Sequence, residues 1–450
     1  MIAVQGPIAL AYDCGNLPPN VAQTGNELRV APTGGDDTAS VQLAVNCATR
    51  LSPSAVILEP GQFRWTQIVA RGWGDGRFEG AGADFGLAGA GNPPYADHAK
   101  DLGRYTYIDA LGPSTVPIYV GLDFIPSAGE PYPPGTAAMF VLEGGGDIEM
   151  AHLTWEVTVP DAAQMHRAIH GFKDYDALDY MMLVTYRSPA VASPGEGVWV
   201  HDVMLKSLSD HPGIIFGRNV RVGLGLDGTM ITPGVYAPGD EGMVTSTPFT
   251  GSHRVTDCVF DGPAIDTESA GLVDGRVTWA QNRLMNGNFG ILLLDHENSV
   301  FNVVGNDLTG HDILGVGAWQ RGGAPRLDRV PGFRIPGEPS IVHIYDNNIS
   351  DVGGTGIGFS DAAPSLGLPG GNIVGEILDN VILAQDRASV GISVKGAKGA
   401  LSVKDNFVDG LFVDGIILCV SDGVEVEDNR TEGADGKTIS VTYSNNCEME

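Results

Sequence analysis

The apolar run GILLL (290–294) ends in three ionisable residues, Asp295, His296 and Glu297, where ordinary turn residues would be expected. One repeat earlier, AIDTE (264–268) places Asp266 and Glu268 in the corresponding stretch. If such repeats stack as coils, carboxylates on adjacent coils lie roughly 5 Å apart, and those two coils apart roughly 10 Å. The first spacing suits the carboxylate pair of a retaining glycosidase, about 5–5.5 Å; the second only approaches the inverting range of roughly 6.5–9.5 Å. Crowding also raises the pKa of one carboxyl, which fits it to act as an acid. Asp266 and Asp295 are therefore the candidate catalytic pair. Glu268, Asp295 and Glu297 could instead hold Ca²⁺, which takes several oxygen ligands. The alternative is that all are solvated turn residues of an acidic chain.

The second chemical feature is WQRGGAPRLDRVPGFRIPG, inside an insertion over 316–339. It carries Arg321, Arg326, Arg329 and Arg334 against Asp328 alone. A loop of this kind offers guanidinium forks to a carboxylate or sulfate, or forms an ion-pair net with its own acidic surface. Trp319 could stack on a sugar face or cover the flank of a coil. Together these residues fit β-elimination on a uronate. Arg321 or Arg329 would neutralise the carboxylate so that the C5 proton becomes acidic, and His296, Lys395 or an arginine would remove it. Lys395, in GISVKG, reads equally as a solvated strand-end lysine. His201-Asp202, Asp210-His211 and His311-Asp312 show no metal or nucleophile spacing and read as surface or turn histidines.

What must position these residues is a repeat. VTWAQNRL (Asn282), FNVVGNDL (Asn306), HIYDNNIS (Asn348), GEILDNVI (Asn380), LSVKDNFV (Asn406) and VEVEDNRT (Asn429) align on an Asn, and HRVTDCVF puts Cys258 in the same place. The steps are 24, 24, 42, 32, 26 and 23 residues, the long ones carrying insertions. Between them a Gly opens an apolar strand in GILLL (Gly290), GIGFS (Gly356), GISVK (Gly391) and GIILC (Gly415). Three strands per repeat with no helical period imply parallel strands coiling about one axis, a parallel β-helix. Its inward Val, Ile and Leu form columns, and the Asn side chains stack as a ladder that satisfies turn backbone. The repeat is clearest over 250–435; VHDVMLKSLSDHPGIIF (200–216) reads as a degenerate coil. In DDTASVQLAVNCATRL (36–51), Val41, Ala44, Val45, Ala48 and Leu51 share a helical face, with Asp36 or Asp37 as N-cap. Such a helix would plug the open end of the coil.

GGDDTASVQLAVN, AVILEPGQFRWTQI and FEGAGAD, followed by these coils, resemble the pectate-lyase-like superfamily of right-handed β-helix proteins. The resemblance covers about three quarters of the chain and implies the fold. Its members include polysaccharide lyases, glycoside hydrolases, epimerases and phage tailspikes, so it does not select a chemistry. It does imply a substrate groove along the first strand of each coil, here 264–268, 291–295, 315–321, 356–361 and 391–396. The Asn-Thr-Asp, Gly-His-Gly and Arg-Ile-Lys motifs of polygalacturonases are absent, as is the Trp-Ile-Asp-His element of pectate lyases.

Composition sets the outer bounds. Of 450 residues, 55 are Asp or Glu and 26 Lys or Arg, a formal charge of −29, which disfavours nucleic acid and anionic membranes as partners. Five scattered cysteines (14, 47, 258, 419, 447) favour neither a disulfide framework nor a zinc site. The first residues lack a signal peptide's basic start and apolar run, and no stretch matches a membrane span. An extracellular or phage-borne protein is expected.

The sequence thus predicts an all-β protein, a right-handed parallel β-helix with a capping helix over 37–51, an arm over 1–30 and one domain over 31–450. It predicts a carbohydrate-active enzyme on an anionic polysaccharide, by β-elimination with or without Ca²⁺. The alternatives are a glycoside hydrolase and a non-catalytic glycan-binding adhesin or tail protein; a homo-oligomer is compatible with any of them.

Overall fold

A computed structural model describes residues 14–66, 68–81, 103–110, 137–157, 181–187, 197–207, 213–216, 223–224, 230–231, 250–263, 265–294, 296–320, 338–361, 373–397, 400–419, 421–433 and 439–442. The strands Arg276–Ala280, Arg283–Met285 and Phe289–Leu294 make one coil. Each pairs in parallel with its counterpart one coil on, in Val300–Val304, Asp307–Thr309 and Leu314–Gln320. The same stacking runs on through Ser340–Tyr345, Asn348–Ser350 and Thr355–Asp361. It runs back through Ser252–Thr256, Val259–Asp261 and Ile265–Ala270 to Val198–Ser207 and Ile214–Phe216, the degenerate coil. The chain is a right-handed parallel β-helix. Strand Leu314–Gln320 is continuous, so the insertion begins after Gln320 and not at 316.

The core is built of columns, because register repeats from coil to coil. Thr267, Ile291, Val316, Ile357, Ile392 and Ile416 stack in the first sheet. Val255, Trp279, Val303, Ile344, Ile377 and Val403 stack in the second. All are buried, and each large apolar side chain so buried contributes about 1.5–3 kcal/mol.

The turn between the second and third strands carries the ladder. Its first residue is left-handed in every coil: Asp257, Gln281, Asp346, Asp379, Asp405 and Asp428 have φ between 53° and 56°, and Gly305 has 62°. Asp and Gly reach this region at low cost. The next residue turns inward. Asn306 Oδ1 accepts from the backbone N–H of Asn282 (3.1 Å) and its Nδ2 (2.9 Å), while Asn306 Nδ2 donates to Trp279 O (3.1 Å) and onward to Asn347 Oδ1 (2.9 Å). The chain of amides continues through Asn380 and Asn406 to Asn429, and begins at Cys258, whose N–H donates to Asn282 Oδ1. In HIYDNNIS the ladder residue is Asn347, not Asn348. Asn347 follows the left-handed Asp346 and points inward, whereas Asn348 faces out and donates to Asp307.

At the amino end, helix Thr38–Ala48 lays Val41, Ala44, Val45 and Ala48 on the first coil. Asp37 stands at its N-cap, but the Asp37 carboxylate accepts from Thr33 and the Arg64 backbone, and it is Asp36 that accepts from the Thr38 N–H. The arm contributes the hairpin Val21–Thr24 and Glu27–Val30, whose second strand already pairs in parallel with Ser54–Leu58. A disulfide joins Cys14 to Cys47, and Cys419 is also disulfide-bonded, against the expectation from composition. The spacing hid them because the partner of Cys14 lies 33 residues away across the fold.

Replacing a mid-ladder amide leaves buried N–H and C=O groups without partners, each worth about 1–3 kcal/mol. Asn347→Ala is expected to lower the unfolding free energy by about 3 kcal/mol, read by urea denaturation. Asn429→Ala, at the half-exposed end of the ladder, is expected to cost less than about half of that.

Candidate functional site

Among the described residues, the acidic side chains chosen from sequence, Asp266, Glu268 and Glu297, do not converge. Asp266 sits between Ile265 and Thr267, whose partners are Phe289 and Ile291, so its neighbour on the next coil is Gly290. Leu294 pairs with Ala270, four residues further along and roughly 13 Å away. The register therefore separates Asp266 from the exit of the Phe289–Leu294 strand. Asp295 itself lies outside the described residues.

Asp266 is an interior residue. Its side chain and that of His311 are wholly buried, with His311 Nε2 2.7 Å from Asp266 Oδ2. His311 reaches back from the turn two coils on because Gly287 leaves the space: a Cβ there would lie 3.2 Å from Asp266 Oδ1 and 3.4 Å from the imidazole. Burial pushes the Asp266 carboxyl up to about 6, against the pull of the His311 hydrogen bond. His311 is thus a turn residue, as expected, but a buried one.

The other members scatter. Glu268 is buried opposite Leu292, which clusters with Ile265, Leu314, Phe289 and Trp319 outside the main core. The floor expected to carry substrate is therefore apolar and covered at this point. Glu297 bridges Val273, five residues beyond Glu268, so the two glutamates do not converge as Ca²⁺ ligands. Among the described residues no three His, Cys, Asp or Glu side chains converge as a metal site. His296 is buried against Phe301, ring centroids 4.4 Å apart, and presents no face to a groove. Trp319 packs edge-on to Phe289 on the flank. Lys395 is half-buried at a strand end, in the same row as Trp319 and two coils from it through Ser360, roughly 10 Å away. Arg321, Arg326, Arg329, Arg334 and His211 lie outside the described residues.

A different constellation is assembled on the second sheet. Strands Ala137–Val157, Val198–Ser207, Ser252–Thr256 and Arg276–Ala280 stack there, and a cleft of about 360 Å³ opens on their outer face. Glu149, Trp199, Arg254 and Thr278 follow one another across four coils. Two residues earlier, Ser252 pairs with Arg276. Four outward positions thus form a small square, with the two guanidiniums on one diagonal and the Ser252 and Thr278 hydroxyls on the other. The Arg254 guanidinium packs 4.5 Å from the centre of the Trp199 ring, an attraction that fixes it without a carboxylate. Trp199 is itself held, donating from Nε1 to Thr256 Oγ1 (3.0 Å) and stacking on His201 at 4.0 Å.

His201 lies between two carboxylates, Nδ1 2.8 Å from Asp202 Oδ2 and Nε2 3.0 Å from Glu149 Oε1. Burial works against its charge, but the hydrogen bonds to Asp202 and Glu149 outweigh it, and its pKa is raised. Beneath the cleft, His253 points inward in the column of Val198 and Val277. Its Nδ1 accepts from the Val198 N–H (3.2 Å) and its Nε2 donates to Thr250 O (3.2 Å), so the ring is neutral. Burial pushes its pKa down to about 4.

None of Glu149, Trp199, Arg254 and Arg276 stood out in the sequence. The signal was there: Glu149, Trp199, Arg254, Thr278, Asn302, His343, Glu376, Ser402 and Glu425 each stand four residues before the ladder position of their coil.

Neither a protein-family model nor a curated protein matches the chain by sequence. Its structure is similar to those of several solved proteins of low sequence identity. The mannuronan C-5 epimerase A-module of Azotobacter vinelandii is 13% identical with a TM-score of 0.42, over 91% of this chain and 96% of that one. A polygalacturonase from Erwinia carotovora is 9% identical at 0.46, over 94% and 98%. The Dettilon tailspike protein is 13% identical at 0.45, over 92% and 68%. At these identities the likeness is one of coil architecture.

Because the folded protein keeps His253 neutral, its contribution to stability is full above the unfolded value near 6.5 and is lost as pH falls toward about 4. The shift corresponds to about 3 kcal/mol. In His253→Gln this part of the acid destabilisation is expected to disappear, measured as unfolding free energy against pH for both proteins.

Proposed function

We propose that the protein is a carbohydrate-active β-helix that takes an anionic polysaccharide across the cleft of the second sheet. The observation that carries this is the state of Arg254 and Arg276. In a chain of formal charge −29, neither makes an ion pair among the described residues, although Asp147 and Glu149 line the same cleft. A guanidinium backed by an indole keeps its N–H edges for an external fork, and carboxylate or sulfate matches that fork. The Ser252 and Thr278 hydroxyls beside the arginines suit sugar hydroxyls. Disulfide-bonded Cys14, Cys47 and Cys419 fit an oxidising, extracellular setting. Among the described residues no helix is long and apolar enough to cross a membrane.

Among cleavage chemistries this arrangement favours β-elimination. A uronate held between the two guanidiniums has its carboxylate neutralised, which is what acidifies the C5 proton. Hydrolysis by paired carboxylates has less support, since the register separates Asp266 from the strand exit that leads to Asp295.

The test uses polygalacturonate and alginate as anionic polymers and dextran as a neutral one. Binding of an anionic polymer is expected, and Arg254→Ala and Arg276→Ala are each expected to weaken it roughly tenfold or more, as befits a charge-assisted hydrogen bond. Equal binding of dextran, or unchanged affinity in both variants, would remove the proposal. Unsaturated-uronate absorbance rising with new reducing ends would establish elimination; reducing ends alone would establish hydrolysis.

A further inference from the structure

We propose that His201 is a positioning residue of this anion site, its proton holding the Glu149 carboxylate away from the arginines and so setting the charge the cleft shows a ligand. The inference rests on the cleft being the anion site. Its basis is proton counting. Both acceptors facing the ring, Asp202 Oδ2 and Glu149 Oε1, are carboxylate oxygens, and an ionised carboxylate cannot donate. Both ring nitrogens must therefore carry hydrogen for both contacts to be bonds, and that species is the imidazolium. A neutral ring has one N–H, so one carboxylate then faces a lone pair and must turn away.

Geometry decides which carboxylate turns. Asp202 is adjacent in sequence and set by a left-handed turn, φ 49°, whereas Glu149 lies on the preceding coil and lines the cleft. Glu149 is the freer of the two, and its movement adds a negative charge one coil from Trp199 and two from Arg254. His201 also stacks on Trp199, the ring that carries Arg254, so the same loss loosens the guanidinium. Among the described residues, the charged and titratable groups around His201 are Glu149 and His152 on the coil before, Asp202 on its own, and Arg254 and Asp257 on the coil after. The raised pKa of His201 has the same sign: the charged form is full below the unfolded value near 6.5 and is lost as pH rises through the folded one.

The experiment is the affinity of the full chain for dextran sulfate, whose charge does not titrate, from about pH 6 to about pH 9. Affinity is expected to fall roughly fivefold over that range in the native protein, the size of one partly screened charge at this distance. Glu149→Gln removes the need for a charged ring, because its amide can donate to Nε2 while Nδ1–H still donates to Asp202. That variant is expected to bind with no such slope, as is His201→Gln if it folds. Native protein that binds without the slope, or a slope that persists in Glu149→Gln, overturns the role of His201 and leaves the site. No binding at any pH, or binding unaffected by Arg254→Ala and Arg276→Ala, overturns the site and the role of His201 with it.

Discussion

The amide ladder is the constraint on which the rest of the molecule depends. A coil turn must bury backbone N–H and C=O groups that no strand can reach, and leaving even one of them unpaired costs about as much as a well-buried methyl or two contributes. From Asn306 onward, each ladder Asn meets that requirement for its own coil and for the one before it: its Oδ1 takes two N–H groups of the preceding Asn and its Nδ2 serves a strand-end carbonyl. Such an arrangement tolerates no slip. Because a one-residue shift would exchange the faces of every strand, the ladder also decides which side chains are core and which are surface.

From that registration the cleft follows. Once Leu153, Val203, Cys258, Asn282 and Asn306 stand over one another, the residues four places earlier stack as a row of their own, and alternation with inward neighbours such as Val277 and Trp279 turns that row outward. The chain can then vary that row without touching the core. It has placed there a carboxylate, an indole, a guanidinium and a hydroxyl group on four consecutive coils. Inward neighbours such as Val198, Val200, Val255 and Val277 stay apolar. Separation of duties between the two parities lets a solenoid carry a binding surface at little cost in stability.

This also explains which parts of the protein could be read from its sequence. Asn282, Asn306, Asn380, Asn406 and Asn429 could be seen because the physical demand on them is identical in each coil, and the Gly-led strands because close stacking of coils requires them. In HIYDNNIS two adjacent asparagines satisfy the pattern equally, and only the left-handed Asp346 decides for Asn347. The candidate site was harder. Asp266 and Glu268 look like surface carboxylates because charge is rarely buried. What hides Asp266 is a partner 45 residues away and a missing side chain at Gly287, neither of which is local. Conversely Trp199 and Arg254 belong to no motif; their meaning lies in being stacked.

Three histidines show how far the context decides the chemistry. His253 is surrounded by apolar columns and offered one backbone donor and one backbone acceptor, a pairing that only the neutral ring can complete. His311 is equally buried but meets a carboxylate, in a pair that water cannot reach. His201, with an edge to solvent, is offered two carboxylates, a pairing that only the charged ring can complete. For His253 and His201 the hydrogen-bond partners match one protonation state each, because a mismatched proton leaves a donor or acceptor unpaired. Of the three, only His201 has an edge to solvent, and it stands beside the Trp199 ring that carries Arg254.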